Sequence, residues 1–69
     1  MPVSVFKTNI QTQFQAQKII NILMGYLPKY KINFDLDDCD KILRVEGNFI
    51  EEDRIIEKVS ALGFEVFPL

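Results

Sequence analysis

Histidine is absent from this 69-residue sequence and cysteine occurs once, which removes most of the chemistry a small chain could carry. Without imidazole there is no ordinary general base near neutral pH, no Ser-His or Cys-His nucleophile and no histidine-based metal site. One thiol cannot close an internal disulfide, and an unstapled domain of this size is expected where thiols stay reduced, in the cytoplasm. The three glycines, Gly25, Gly47 and Gly63, stand apart and make no glycine-rich phosphate loop. An excess of positive charge is also missing: eight Lys and Arg against ten Asp and Glu leave a net −2, with no electrostatic footprint for nucleic acid or an anionic membrane. No apolar run approaches the ~18 residues of a transmembrane helix, and the first residues lack the architecture of a cleavable leader.

What is present is an ordinary globular balance, 48% hydrophobic and 26% charged, enough for one small core and a single domain over residues 1–69. Val3, Val5 and Phe6, with Ser4, Lys7 and Thr8 between them, predict a first strand over Val3–Asn9. From Thr12 to Leu27 the residues Ala16, Ile19, Ile20, Leu23, Met24 and Leu27 recur at three- and four-residue steps, an amphipathic helix that Pro28 ends. Ile32, Phe34 and Leu36 then alternate with Asn33, Asp35 and Asp37, the period of a half-buried strand. A polar turn at Asp38-Cys39-Asp40-Lys41 leads to a second alternating stretch at Leu43–Glu46, so the two strands form an antiparallel hairpin. Asn48, with Glu51 three residues on, reads as the cap of a second helix whose apolar positions are Phe49, Ile55, Ile56, Val59 and Leu62. Glu51, Glu52 and Asp53 suit the positive end of that helix, Gly63 its stop, and Phe64–Phe67 a closing strand.

The resulting order, βαββαβ, defines an α+β, ferredoxin-like arrangement: a four-stranded antiparallel sheet with two helices on one face. On the residues Ile32–Asp37, Leu43–Gly47, Glu51-Glu52-Asp53 leading to Ile56–Val59, and Leu62-Gly63-Phe64-Glu65-Val66, the chain resembles the heavy-metal-associated domains of copper chaperones and metal-transporting ATPases over nearly its whole length. The resemblance implies a metal motif, Met-x-Cys-x-x-Cys, in the loop after the first strand. Here Ile10 stands at the methionine position, Thr12 at the first cysteine and Gln15 at the second. A neutral hydroxyl and a neutral amide lack the charge and polarisable sulfur that hold Cu(I) or Zn(II), so metal binding at the inherited loop is expected to be weak or absent. Thr12 and Gln15 have instead the spacing of a capping box. Phe64 falls where the family often has an aromatic or lysine near the metal, and reads as core.

Other candidates are weaker. Asp35, Asp37 and Glu46 fall at the first, third and twelfth positions of an EF-hand-like loop, but Asp40 occupies the sixth, where the sharp turn needs glycine, and the flanks read as strands. Cys39 lies in an acidic, exposed turn that does not suit a nucleophile or redox sensor. Glu51 and Glu52 are adjacent on a helix and diverge instead of flanking a substrate, so no acid–base pair is formed and the chain is not expected to be an enzyme. Eight aromatics on a βαββαβ frame invite comparison with RNA-recognition modules; the third strand lacks their Lys/Arg-Gly-Phe motif, and Asn33, Asp35 and Glu46 would line the open face.

Phe14 is the anomaly, an aromatic between Gln13 and Gln15 at a helix start. Packing over that start is its ordinary role. A partner contact shared with Gln11 and Gln13, with the edge strand as part of a docking or self-association patch, is the other. The expected function is a small accessory or protein-interaction domain, without a cofactor and linked by its resemblance to metal homeostasis, acting on a protein partner or as a homodimer. Two further readings stay open on the sequence: a true metal carrier that recruits Cys39 and carboxylates, and a small-molecule regulatory domain of the same fold.

Overall fold

A computed structural model describes residues 2–69. Its elements are β1 (Val3–Thr8), α1 (Gln13–Tyr26), β2 (Lys31–Asp35), β3 (Ile42–Glu46), α2 (Glu52–Ala61) and β4 (Val66–Pro68). They build one four-stranded sheet in the order β2-β3-β1-β4 with every neighbouring pair antiparallel. The α+β, ferredoxin-like fold follows directly from that order.

Alternation decides the layers. Ser4, Phe6 and Thr8 are buried on β1 while Val3 and Lys7 are exposed, and on β3 Leu43 and Val45 are buried while Arg44 is exposed. Both helices press their stripes onto that inner face: Ala16, Ile19 and Leu23 from α1, Ile55 and Val59 from α2. With Phe6, Ile10, Leu43, Val45 and Val66 these form one core. Ile32, Phe34, Leu36 and Phe64 pack at its margin, so Phe64 is core-facing as its composition suggests.

Several boundaries differ from the sequence expectation, and each has a physical reason. The N-cap of helix α2 is Glu51, three residues after Asn48; it is extended and makes no side-chain cap bond. Counting back three and four residues from Ile55, the stripe meets Glu52 and Glu51, so nothing apolar extends the helix into Asn48–Ile50. Phe49, expected on the buried face, is instead 71% exposed in the connecting loop, and Ile50 turns inward in its place. The Glu51 carbonyl accepts from the N–H groups of Arg54 (3.1 Å) and Ile55 (3.3 Å), and Glu52 and Asp53 do occupy the first turn. β4 starts at Val66 because Phe64 and Glu65 still belong to the connection from α2. β2 ends at Asp35 because the Asp37 N–H turns back to the Asp35 carboxylate (3.2 Å). β1 ends at Thr8, leaving Asn9 to bond the α2–β4 connection. Gly63 does stop α2: its φ is +95°, the left-handed conformation that glycine adopts without penalty.

Candidate functional site

Three connections meet at the end of the sheet where β1 runs into α1. The Thr8 hydroxyl donates to the Lys41 carbonyl at 2.6 Å and accepts from the Ile10 N–H at 3.3 Å, tying the β1–α1 loop to the β2–β3 hairpin. The Asn9 N–H donates to the Glu65 carbonyl at 3.3 Å, and the Glu65 N–H donates to Asn9 Oδ1 at 2.8 Å. The loop is thus pinned on both sides. Neither residue stands out in the sequence; Thr8 reads as one more strand residue, and only its burial reveals the latch. Thr8→Val, which keeps the shape and removes the hydroxyl, is expected to cost about 1–2 kcal/mol by leaving the Ile10 N–H and Lys41 carbonyl unpaired, measured as a lower urea midpoint at unchanged slope.

The loop passes from Ile10, completely buried, into the first turn of α1. The Gln15 N–H donates to Thr12 Oγ1 at 3.1 Å, and Gln15 Oε1 accepts from the N–H groups of Gln11 (2.9 Å) and Thr12 (3.3 Å). This is a complete capping box, which satisfies backbone donors that a helix start otherwise leaves orphaned. The two positions where the resemblance implies metal ligands therefore have their oxygens committed to backbone amides, and both donors are neutral. The residues do not fit a thiolate-type Cu(I) or Zn(II) site.

Between the two cap residues, Phe14 points away from the protein and is 80% exposed. Packing over the helix start, its ordinary role, does not occur. Gln11 and Gln13 are exposed beside it, so the three form a polar–aromatic surface on a rigidly capped turn.

The acidic hairpin lies at the same end. Asp38, Cys39 and Asp40 place one ligand atom each within 4.8 Å of one another. Asp38 Oδ1 accepts from the Asp40 N–H at 2.8 Å, Asp40 pairs with Lys7 at 3.7 Å, and Cys39 is exposed. These are turn-forming and surface contacts of modest worth. The EF-hand-like spacing does not become a loop: Asp35 opposes Ile42 at one end of the β2–β3 ladder, whereas Glu46 opposes Lys31 at the other, roughly 13 Å away at strand rise.

At the opposite end of the molecule, a cleft of about 330 Å³ opens between the last turn of α1 and the first of α2. Leu23 and Ile55 form its floor, Tyr26 and Tyr30 its walls. Its cations are occupied: Arg54 lies 3.6 Å from Glu51, and the Lys58 ammonium sits 4.1 Å from the centre of the Tyr26 ring. Among the described residues no helix is long and apolar enough to cross a membrane. No family model, curated protein or solved structure matches the chain.

Proposed function

We propose that the chain is a protein-interaction or accessory module built on a scaffold of the heavy-metal-associated type, whose first loop presents a contact surface where such domains present metal. The observation that carries this reading is the combination of an 80% exposed Phe14 with the reciprocal cap that holds its turn still. An exposed aromatic normally forfeits burial it could have had inside; here it is flanked by Gln11 and Gln13, long polar side chains suited to the rim of an interface around an apolar anchor. Preorganisation by the Thr12–Gln15 box lowers the ordering cost of binding. The link to metal homeostasis rests on the sequence resemblance.

A photo-crosslinking phenylalanine analogue at position 14, with the same group at exposed Glu57 as a control, tests the surface inside cells. One discrete adduct from position 14, absent from position 57 and lost on Gln13→Ala, is expected. Identical adducts from both positions, or none from 14, contradict it. Phe14→Ala is expected to change folding stability by less than about 0.5 kcal/mol, as for an exposed residue with no partner, so its effect on any partner is read without a folding defect.

A further inference from the structure

The two edges of the sheet are built differently. The Leu69 N–H donates to the Val5 carbonyl (2.9 Å) and the Asn9 N–H to that of Glu65 (3.3 Å). Odd-numbered residues of β1 therefore aim their backbone groups at β4, and even-numbered ones at β3, as the Gly47 N–H donating to the Pro2 carbonyl agrees. Pro68 opposes Phe6, an even-numbered position, so its ring nitrogen faces outward and offers no donor. The β4 edge is blunted by proline, a common protection against strand addition.

The β2 edge has no such protection. Carrying the same alternation through the β1–β3 and β3–β2 registers, Lys31, Asn33 and Asp35 turn their backbone groups toward β3, and Ile32 and Phe34 turn theirs out. Their side chains sort the opposite way: Lys31, Asn33 and Asp35 lie on the open face, while Ile32 and Phe34 lie half-buried at the core margin.

We infer that the β2 edge is a self-association surface whose occupant is a second copy of this chain, the two β2 strands pairing antiparallel about Asn33. Outward-facing residues must oppose outward-facing residues, which leaves registers centred on Ile32, on Asn33 or on Phe34. Only the middle one uses the outward groups of both residues, Ile32 exchanging hydrogen bonds with Phe34 of the partner subunit. That same register sets Lys31 against the partner's Asp35, twice by symmetry. The charges then alternate across the seam: Glu46 opposes Lys31 within one chain, Lys31 meets the partner's Asp35, and within each chain Asp35 lies 3.8 Å from Arg44. On the helix side, Ile32 covers the partner's Phe34 and removes apolar surface that one copy leaves partly wet. The strand reads Lys-Ile-Asn-Phe-Asp, a pattern complementary to its own reverse. An interface of one short strand per copy is small, so the association is weak and concentration-dependent. It is distinct from the Phe14 surface and stands or falls separately.

Sedimentation across a concentration series reaching about 1 mM tests it, with amide exchange read by NMR. The wild type is expected to move from 8.0 kDa toward twice that mass, with the Ile32 and Phe34 amides gaining protection as it does. Lys31→Asp alone sets Asp against Asp across the seam, and Asp35→Lys alone sets Lys against Lys; each is expected to stay at the monomer mass while keeping the wild-type circular dichroism. Mixed in equal amounts the two variants are complementary, and the dimer is expected to return. A wild type that remains at 8.0 kDa throughout overturns the proposal, as does a dimer that survives either single variant, a mixture that stays monomeric, or protection that spares Ile32 and Phe34.

Discussion

Cysteine placed at both Thr12 and Gln15 is expected to give this chain a Cu(I) site of one equivalent, orders of magnitude tighter than anything the wild type offers. The first turn of α1 already holds the two positions at the spacing that a thiolate pair uses for soft ions, and the latch through Thr8 and Asn9 fixes the loop that leads to them. The same substitutions dismantle the capping box, in which Thr12 Oγ1 accepts from Gln15 and Gln15 Oε1 accepts from Gln11 and Thr12. Apo stability is therefore expected to fall by about 1–2 kcal/mol, the usual cost of a lost N-cap, and to recover when copper binds, because a ligand taken up only by the folded state stabilises it by mass action. Competition against a calibrated chelator under reducing conditions, followed by melting with and without copper, reads both signs. A double variant that binds nothing would show that the loop lacks the geometry which the resemblance implies.

Gly47→Ala is expected to be the most damaging single methyl in the protein, about 2–3 kcal/mol, at the upper part of the range for overpacking a tight site. Gly47 is buried, and a Cβ built on it would overlap the ring carbons of Tyr30. The requirement is steric alone, since Gly47 is absent from the positive-φ glycines and only Gly63 needs that conformation. The overlap reaches Tyr30 Cγ, close to the backbone, and not only the far edge of the ring, and the side chain packs against the core, so a small ring rotation does not relieve it. A Tyr30→Ala background removes the ring carbons that the added methyl would overlap, so most of its cost is expected to vanish there, and a thermodynamic cycle isolates the coupling. Equal costs in both backgrounds would place the effect elsewhere. Gly25→Ala is the control, because a Cβ there meets nothing within 4 Å and alanine is the better helix former.

The order and type of all six elements are legible because each carries its own period. Ala16, Ile19 and Leu23 are spaced for a helix, and Ile32 and Phe34 for a strand with one wet face. The Thr12–Gln15 box is legible for the same reason, being a local motif whose two bonds lie within four residues. What escapes the sequence depends on distant neighbours. Asn48 has a respectable capping signature, yet no helix starts at it, because Ile50 reaches the core and the stripe behind Ile55 is charged. Phe49 looks like a core residue by hydropathy and lies in solvent because it falls off that stripe. Thr8 and Asn9, which pin the loop, give no local signal; their partners Lys41 and Glu65 are 33 and 56 residues away. Gly47 looks like a simple hairpin closure until Tyr30 is found against it.

We propose the first loop of the wild-type chain as a capped contact surface and not a metal site. Titration of the wild type with Cu(I) and Zn(II) against calibrated chelators, under reducing conditions, tests it most directly. The chelators are expected to keep all of both ions, and Cys39→Ser is expected to leave the curves unchanged. Stoichiometric transfer of either ion to the wild type that persists in Cys39→Ser would contradict this proposal, whereas transfer lost in Cys39→Ser would place the metal at the acidic hairpin and leave the loop without one.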